Sequence, residues 1–105
     1  MSLEQSLDTL SSKMLVRYWF EFDKESTTEV PMELGLGCGV TAYDYNDAVS
    51  LIREIMLDNT PLPKIKRVVA NVDIRTLEIN HVQRGMGICV WRGIWWPALN
   101  RNYIK

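Results

Sequence analysis

The stretch Lys13-Met14-Leu15-Val16-Arg17-Tyr18-Trp19-Phe20-Glu21-Phe22-Asp23 decides the fold. Met14, Val16, Tyr18, Phe20 and Phe22 recur at every second residue, with Lys13, Arg17, Glu21 and Asp23 between them. A period of two belongs to an extended strand, whose side chains alternate between faces. A slip of one residue would bury charges and expose large apolar groups, so the register is well determined. Leu15 and Trp19 nevertheless share the charged face. Either a second layer covers that face, with an N-terminal helix as the simpler cover, or Trp19 is offered to a partner.

Working outward, residues 1–11 carry Leu3, Leu7 and Leu10 at helical spacing, which suits a short amphipathic helix or a tail. Lys24 to Leu34 reads as a loop around Pro31. Leu36, Cys38, Val40 and Ala42 then alternate with Gly37, Gly39 and Thr41, predicting a second strand from Gly37 to Tyr43. Glycine at 35, 37 and 39 weakens a strand unless a helix, a neighbouring backbone or a ligand must come close. Asp44 is placed to cap a helix, with Asp47 where the helix dipole favours negative charge. Ala48, Val49, Ile52, Ile55 and Met56 form its apolar stripe, so the helix is expected over Tyr45 to Leu57, stopped by Asp58-Asn59-Thr60-Pro61.

Lys64 to Asp73 fits a helix or a strand. Its β-branched content, Val68, Val69 and Val72, favours a strand over Lys66 to Val72, closing a right-handed strand–helix–strand unit. A turn or short helical stretch follows, carrying Leu77 and Ile79 inward. A last strand is expected over Ile88 to Trp96, ended by Pro97, which has no N–H to donate. The fold class is α+β: a mixed four-stranded sheet, one principal helix on one face, and the short N-terminal helix, in a single domain spanning 1–105.

Composition bounds the function. The chain has 105 residues, 47% hydrophobic and 24% charged, which is globular and argues against disorder. Such a length buries more than about 60% of the unfolded surface without staples. Two cysteines and no cationic start followed by an apolar run point to a reducing, cytoplasmic setting. The longest apolar candidate, Met14 to Phe22, is interrupted by Arg17 and Glu21, so no membrane association is expected.

Catalytic chemistry finds little purchase. Cys38 or Cys89 with His81 would make a nucleophile and base, but both cysteines share the parity of apolar neighbours and read as buried thiols. One His and two distant Cys fall short of a metal site. Gly35-Leu36-Gly37-Cys38-Gly39 lacks the third glycine spacing and adjacent helix of a dinucleotide loop, and the Gly-Lys-Ser/Thr of a Walker loop. No cofactor, metal or catalytic residue is expected.

Recognition is better served. Arg75, His81, Arg84, Arg92, Arg101 and Lys105 are interleaved with Trp91, Trp95, Trp96 and Tyr103, residue types that interfaces favour. Trp95 and Trp96 are adjacent on a strand and should point to opposite faces, leaving at least one tryptophan partly exposed. The candidate binding residues are therefore Trp19, Arg75, His81, Arg84, Trp91, Arg92, Trp95 and Trp96. Charge adds a second pattern. Residues 1–58 hold four basic and eleven acidic side chains, a balance of −7, and residues 59–105 hold eight basic and two acidic, +6. Pairing between the halves is the simplest account, yet Glu25, Glu29, Glu33, Asp44, Asp47 and Asp58 lie in loops and at helix ends and could form an acidic rim.

The runs Gly37-Cys38-Gly39-Val40-Thr41-Ala42-Tyr43-Asp44, with Asp47-Ala48, and Arg92-Gly93-Ile94-Trp95-Trp96-Pro97 resemble segments of small bacterial single-domain proteins of unknown function. The resemblance covers less than half of the chain and implies a bacterial, free-standing domain, with no activity attached.

Three functions are weighed from these residues. The first is a non-catalytic protein-binding module, such as an inhibitor or an immunity protein neutralising a basic toxin, or a self-associating chain. The second is single-stranded nucleic-acid binding through the basic, tryptophan-rich C-terminal half. The third, an enzyme using His81, has the least support.

Overall fold

The computed structural model describes residues 14–24 and 30–98. The helix expected over 1–11, the rim residues Glu25 and Glu29, and Arg101, Tyr103 and Lys105 lie outside the described residues.

Four strands form one sheet in the order β3-β1-β2-β4: β1 (Val16–Phe22), β2 (Cys38–Ala42), β3 (Ile65–Ala70) and β4 (Gly93–Trp96). The strand read from the opening stretch takes a central place because it is long and apolar enough to be paired on both sides. Val16 to Phe20 pair with Ala42 to Cys38, and Tyr18 to Phe22 pair with Ala70 to Ile65. The α+β class with four strands and one principal helix holds. The sheet, however, is not mixed, because every neighbouring pair is antiparallel. β2 and β3 do run parallel to one another, as a strand–helix–strand unit requires, but β1 lies between them. The crossover skips a strand.

The helix begins where expected. The Asp44 carboxylate accepts the Asp47 backbone N–H at 2.8 Å, and helix α1 (Tyr45–Leu51) continues as a wider π turn over Ile52–Met56. Asp58 and Asn59 take left-handed backbone angles, φ 52° and 64°, and end it. Asn71, at φ 56°, likewise turns the chain after β3, so this strand stops short of the expected Val72. The last strand is shorter than the expected Ile88 to Trp96. Gly93, at φ 148°, breaks it off, and residues 88–92 leave the ladder.

Two apolar clusters result. On one face Tyr18, Phe20, Phe22, Cys38, Val40 and Ala42 pack against Ala48, Leu51, Ile52 and Leu57. On the other, Trp19 and Trp95 pack with Val72, Leu77 and Val82. A second layer therefore covers the face that carries Trp19, and the β3–β4 connection supplies it among the described residues. Short 3-10 and π turns, Ile74–Thr76 and Ile79–Gln83, carry that connection from one edge of the sheet to the other. The glycines of β2 serve this layer. A Cβ at Gly39 would lie 2.4 Å from the Trp95 ring, and one at Gly37, φ 123°, would lie 2.4 Å from Trp19. The close approach expected at these glycines is that of two indoles.

Trp95 and Trp96 do not divide between the faces. β4 bulges against β2, with Gly39 opposite Trp96 and Val40 opposite Ile94, so Trp95 is the extra residue. Both tryptophans pack with the second cluster. Among the described residues, no helix is long and apolar enough to cross a membrane.

Candidate functional site

The expected recognition residues are split by the fold into three sets. Trp19 and Trp95, 3% and 1% exposed, are core residues, their rings 6.0 Å apart. They are therefore not binding residues as expected: alternation shows which face a strand residue takes, while the covering layer decides whether that face meets solvent. Trp91 is the opposite case, at 69% exposed. Arg75, His81, Arg84, Arg92 and Trp96 lie at the surface or half-buried beneath it.

Trp91 belongs to an exposed apolar run. Where 88–92 leaves the ladder, Ile88, Val90 and Trp91 are each more than 60% exposed, and only Cys89 turns inward. The segment is tied down at its backbone, since the Thr41 hydroxyl donates to the Cys89 carbonyl at 2.6 Å. It is also tied at its end. The Arg92 guanidinium donates from Nε to Asp47 at 2.9 Å and from Nη2 to the other carboxylate oxygen, and lies 5.6 Å from the Tyr43 ring centroid. Arg92 and the Tyr43 N–H hold the Asp47 carboxyl below its ordinary pKa against partial burial. An apolar run with fixed ends is suited to meet a partner at low ordering cost. Ile88, Val90 and Tyr43 are not among the residues the sequence marks for recognition. Ile88 and Val90 do sit at the parity opposite the inward Cys89, which is the signal that could have found them.

A second convergence lies at the other end of β4. Asn80, His81, Arg84, Gly85, Trp96, Pro97 and Ala98 line a shallow groove of about 440 Å³. The Glu78 carboxylate accepts the backbone N–H groups of His81 and Val82 at the start of the π turn, and meets His81 Nδ1 at 3.2 Å. Partial burial opposes the charged form of Glu78, but these hydrogen bonds outweigh it and hold the carboxyl at about 2. Neither cysteine is hydrogen-bonded to His81. Cys38 is fully buried on the helix side, where burial pushes its thiol pKa up, and Cys89 Sγ is met instead by the Arg17 guanidinium at 3.5 Å.

A deeper cleft of about 360 Å³ opens between β3 and the segment after it, lined by Trp19, Glu21, Arg67, Asp73 and Glu78 among others. Its charges are answered internally. Arg67 holds Glu21 low in pKa, with help from the Trp19 indole N–H, and Arg75 holds Asp73 at about 2. No group of three or more metal-ligating side chains occurs among the described residues.

The two charged halves pair across the fold: Glu21 with Arg67, Asp23 with Lys64, and Asp47 with Arg92. Asp73 with Arg75 and Glu78 with His81 pair within the basic half. Of the expected acidic rim, Asp47 is therefore taken by Arg92. Glu33, Asp44 and Asp58 are exposed and lack an ion-pair partner among the described residues.

Comparison with protein-family models, curated proteins and solved structures finds no match to this chain.

Proposed function

We propose that this chain is a non-catalytic protein-binding module of the inhibitor or immunity type, acting in the cytoplasm, that presents Ile88, Val90 and Trp91 to a partner protein with a basic surface. The observation that carries the reading is the 69% exposure of Trp91 in a backbone-anchored apolar run. An exposed tryptophan flanked by aliphatic side chains and an arginine has the composition of an interface hot spot. The exposed carboxylates Glu33 and Asp58, without an ion-pair partner among the described residues, favour a basic partner, since exposed charges act through steering.

The test compares enrichment on wild-type, Trp91→Ser and Glu33→Lys/Asp58→Lys baits, followed by binding of the purified partner. A basic protein whose affinity falls by roughly thirtyfold or more with Trp91→Ser, as removal of a hot-spot side chain produces, supports the reading. The charge variant should slow association and leave dissociation little changed. Equal retention on all baits, or self-association alone, overturns it.

A second reading, single-stranded nucleic-acid binding, draws on Arg84 and Trp96 in one groove. Against it, Arg67, Arg75 and Arg92 each donate to a carboxylate, so these three guanidiniums are not free for phosphates. An oligonucleotide that fails to change tryptophan fluorescence at low salt ends this reading.

A further inference from the structure

The groove at the end of β4 differs from every other charged surface described above in the state of its cation. Arg67, Arg75 and Arg92 are each engaged by a carboxylate at 3.1 Å or less, whereas Arg84 has no such partner among the described residues. His81, beside it, is already held by Glu78 through Nδ1. The unanswered charge of the groove is therefore that of Arg84.

The rest of the lining is an apolar platform. Trp96 and Pro97 line it together, and Gly85 is pressed against the Trp96 ring so closely that a Cβ there would come within 3.1 Å. This contact helps fix the indole plane. The Trp96 indole N–H is buried and has no hydrogen-bond acceptor among the described residues, and Asn80 also lines the groove. A volume of about 440 Å³ lies within the range of small-ligand sites, roughly 300–1,000 Å³. Its lining offers one indole and one guanidinium without a carboxylate partner among the described residues.

We propose that this groove binds a small aromatic carboxylate, its ring against Trp96 and Pro97 and its carboxylate on the Arg84 guanidinium. The fork of an arginine matches a carboxylate in two parallel hydrogen bonds, and an aromatic ring beside an indole gains offset stacking. This site is separate from the Trp91 surface and does not depend on the protein-binding reading.

Benzoate is the probe, with acetate as charge without ring and benzyl alcohol as ring without charge. Nitrogen-15-resolved NMR spectra of the full chain follow the Trp96 indole N–H, assigned by its loss in Trp96→Phe, together with the backbone amides of 84 and 85. Saturable shifts of these signals with benzoate, at least tenfold weaker with either control, are expected. Arg84→Gln, a change at an exposed residue, should weaken benzoate roughly tenfold or more, the loss of a hydrogen bond to a charged group. Shifts confined to other residues, benzyl alcohol binding as well as benzoate, equal affinity in Arg84→Gln, or no shift at all would each overturn the proposal.

Discussion

On the helix side of the sheet, strand residues at strict alternation meet the apolar stripe of one helix; on the other side, two tryptophans are roofed by a connection with little regular structure. The helix side is built of interchangeable aliphatic and aromatic volume around Phe20, Val40 and Ile52. The tryptophan side depends on absence of volume as much as on its presence, because Gly37 and Gly39 vacate the space that Trp19 and Trp95 fill. A stripe against a strand tolerates conservative exchange. A ring lodged over a glycine does not.

The comparison can be broken from the helix side first. Phe20→Ala, at a fully buried residue, should cost about 3–5 kcal/mol of stability by chemical denaturation, through the lost transfer energy and the cavity left. Next in size, Gly39→Ala should cost about 1–3 kcal/mol by overpacking against Trp95. Combining it with Trp95→Leu should cost less than the sum of the two single changes, by about 1 kcal/mol or more. Strict additivity would mean that the glycine does not serve the indole.

Acid should loosen the tryptophan side at the start of the Ile79–Gln83 turn. Glu78 is held at about 2 against an ordinary 4.5 by the hydrogen bonds that begin the Ile79–Gln83 turn. A carboxyl depressed in the folded state contributes stability above pH 4.5, and that contribution is lost as pH falls from there through about 2. Amide protection factors at His81 and Val82, which remove the intrinsic pH dependence of exchange, should fall over that range. The smallest effect belongs to Trp91→Ser, which should alter stability by less than about 0.5 kcal/mol because the side chain is exposed. A larger loss would show that Trp91 packs in the second layer.

Much of the helix side was legible in the sequence. The alternation around Phe20, the Asp44 cap and the stripe through Ala48, Val49, Ile52 and Met56 each state a local rule that the tertiary structure obeys, while the π turn over Ile52–Met56 turns the expected Ile55 out to solvent. The tryptophan side obeys rules that are not local. Val72, Leu77, Val82, Met86 and Cys89 approach it from a segment with no single period, so nothing in their spacing announces a covering layer. The bulge that sends Trp95 and Trp96 to the same cluster depends on how β4 pairs with β2. For the same reason the exposure of Trp91 could be expected of some tryptophan, but not assigned to this one. It follows from the break at Gly93, and a glycine in a strand pattern marks either a bulge or an end. The groove residues His81, Arg84 and Trp96 were legible as types suited to recognition. Their meeting was not, because it rests on the turn after Ile79.

The Trp19 and Trp95 rings, tilted 31° to one another, also give this protein an optical signature. Two indoles so close and so fixed couple their electronic transitions, and the coupling shows in near-ultraviolet circular dichroism only while both are held. A mutation or ligand that loosens the roof over the indoles would announce itself by dimming that signal.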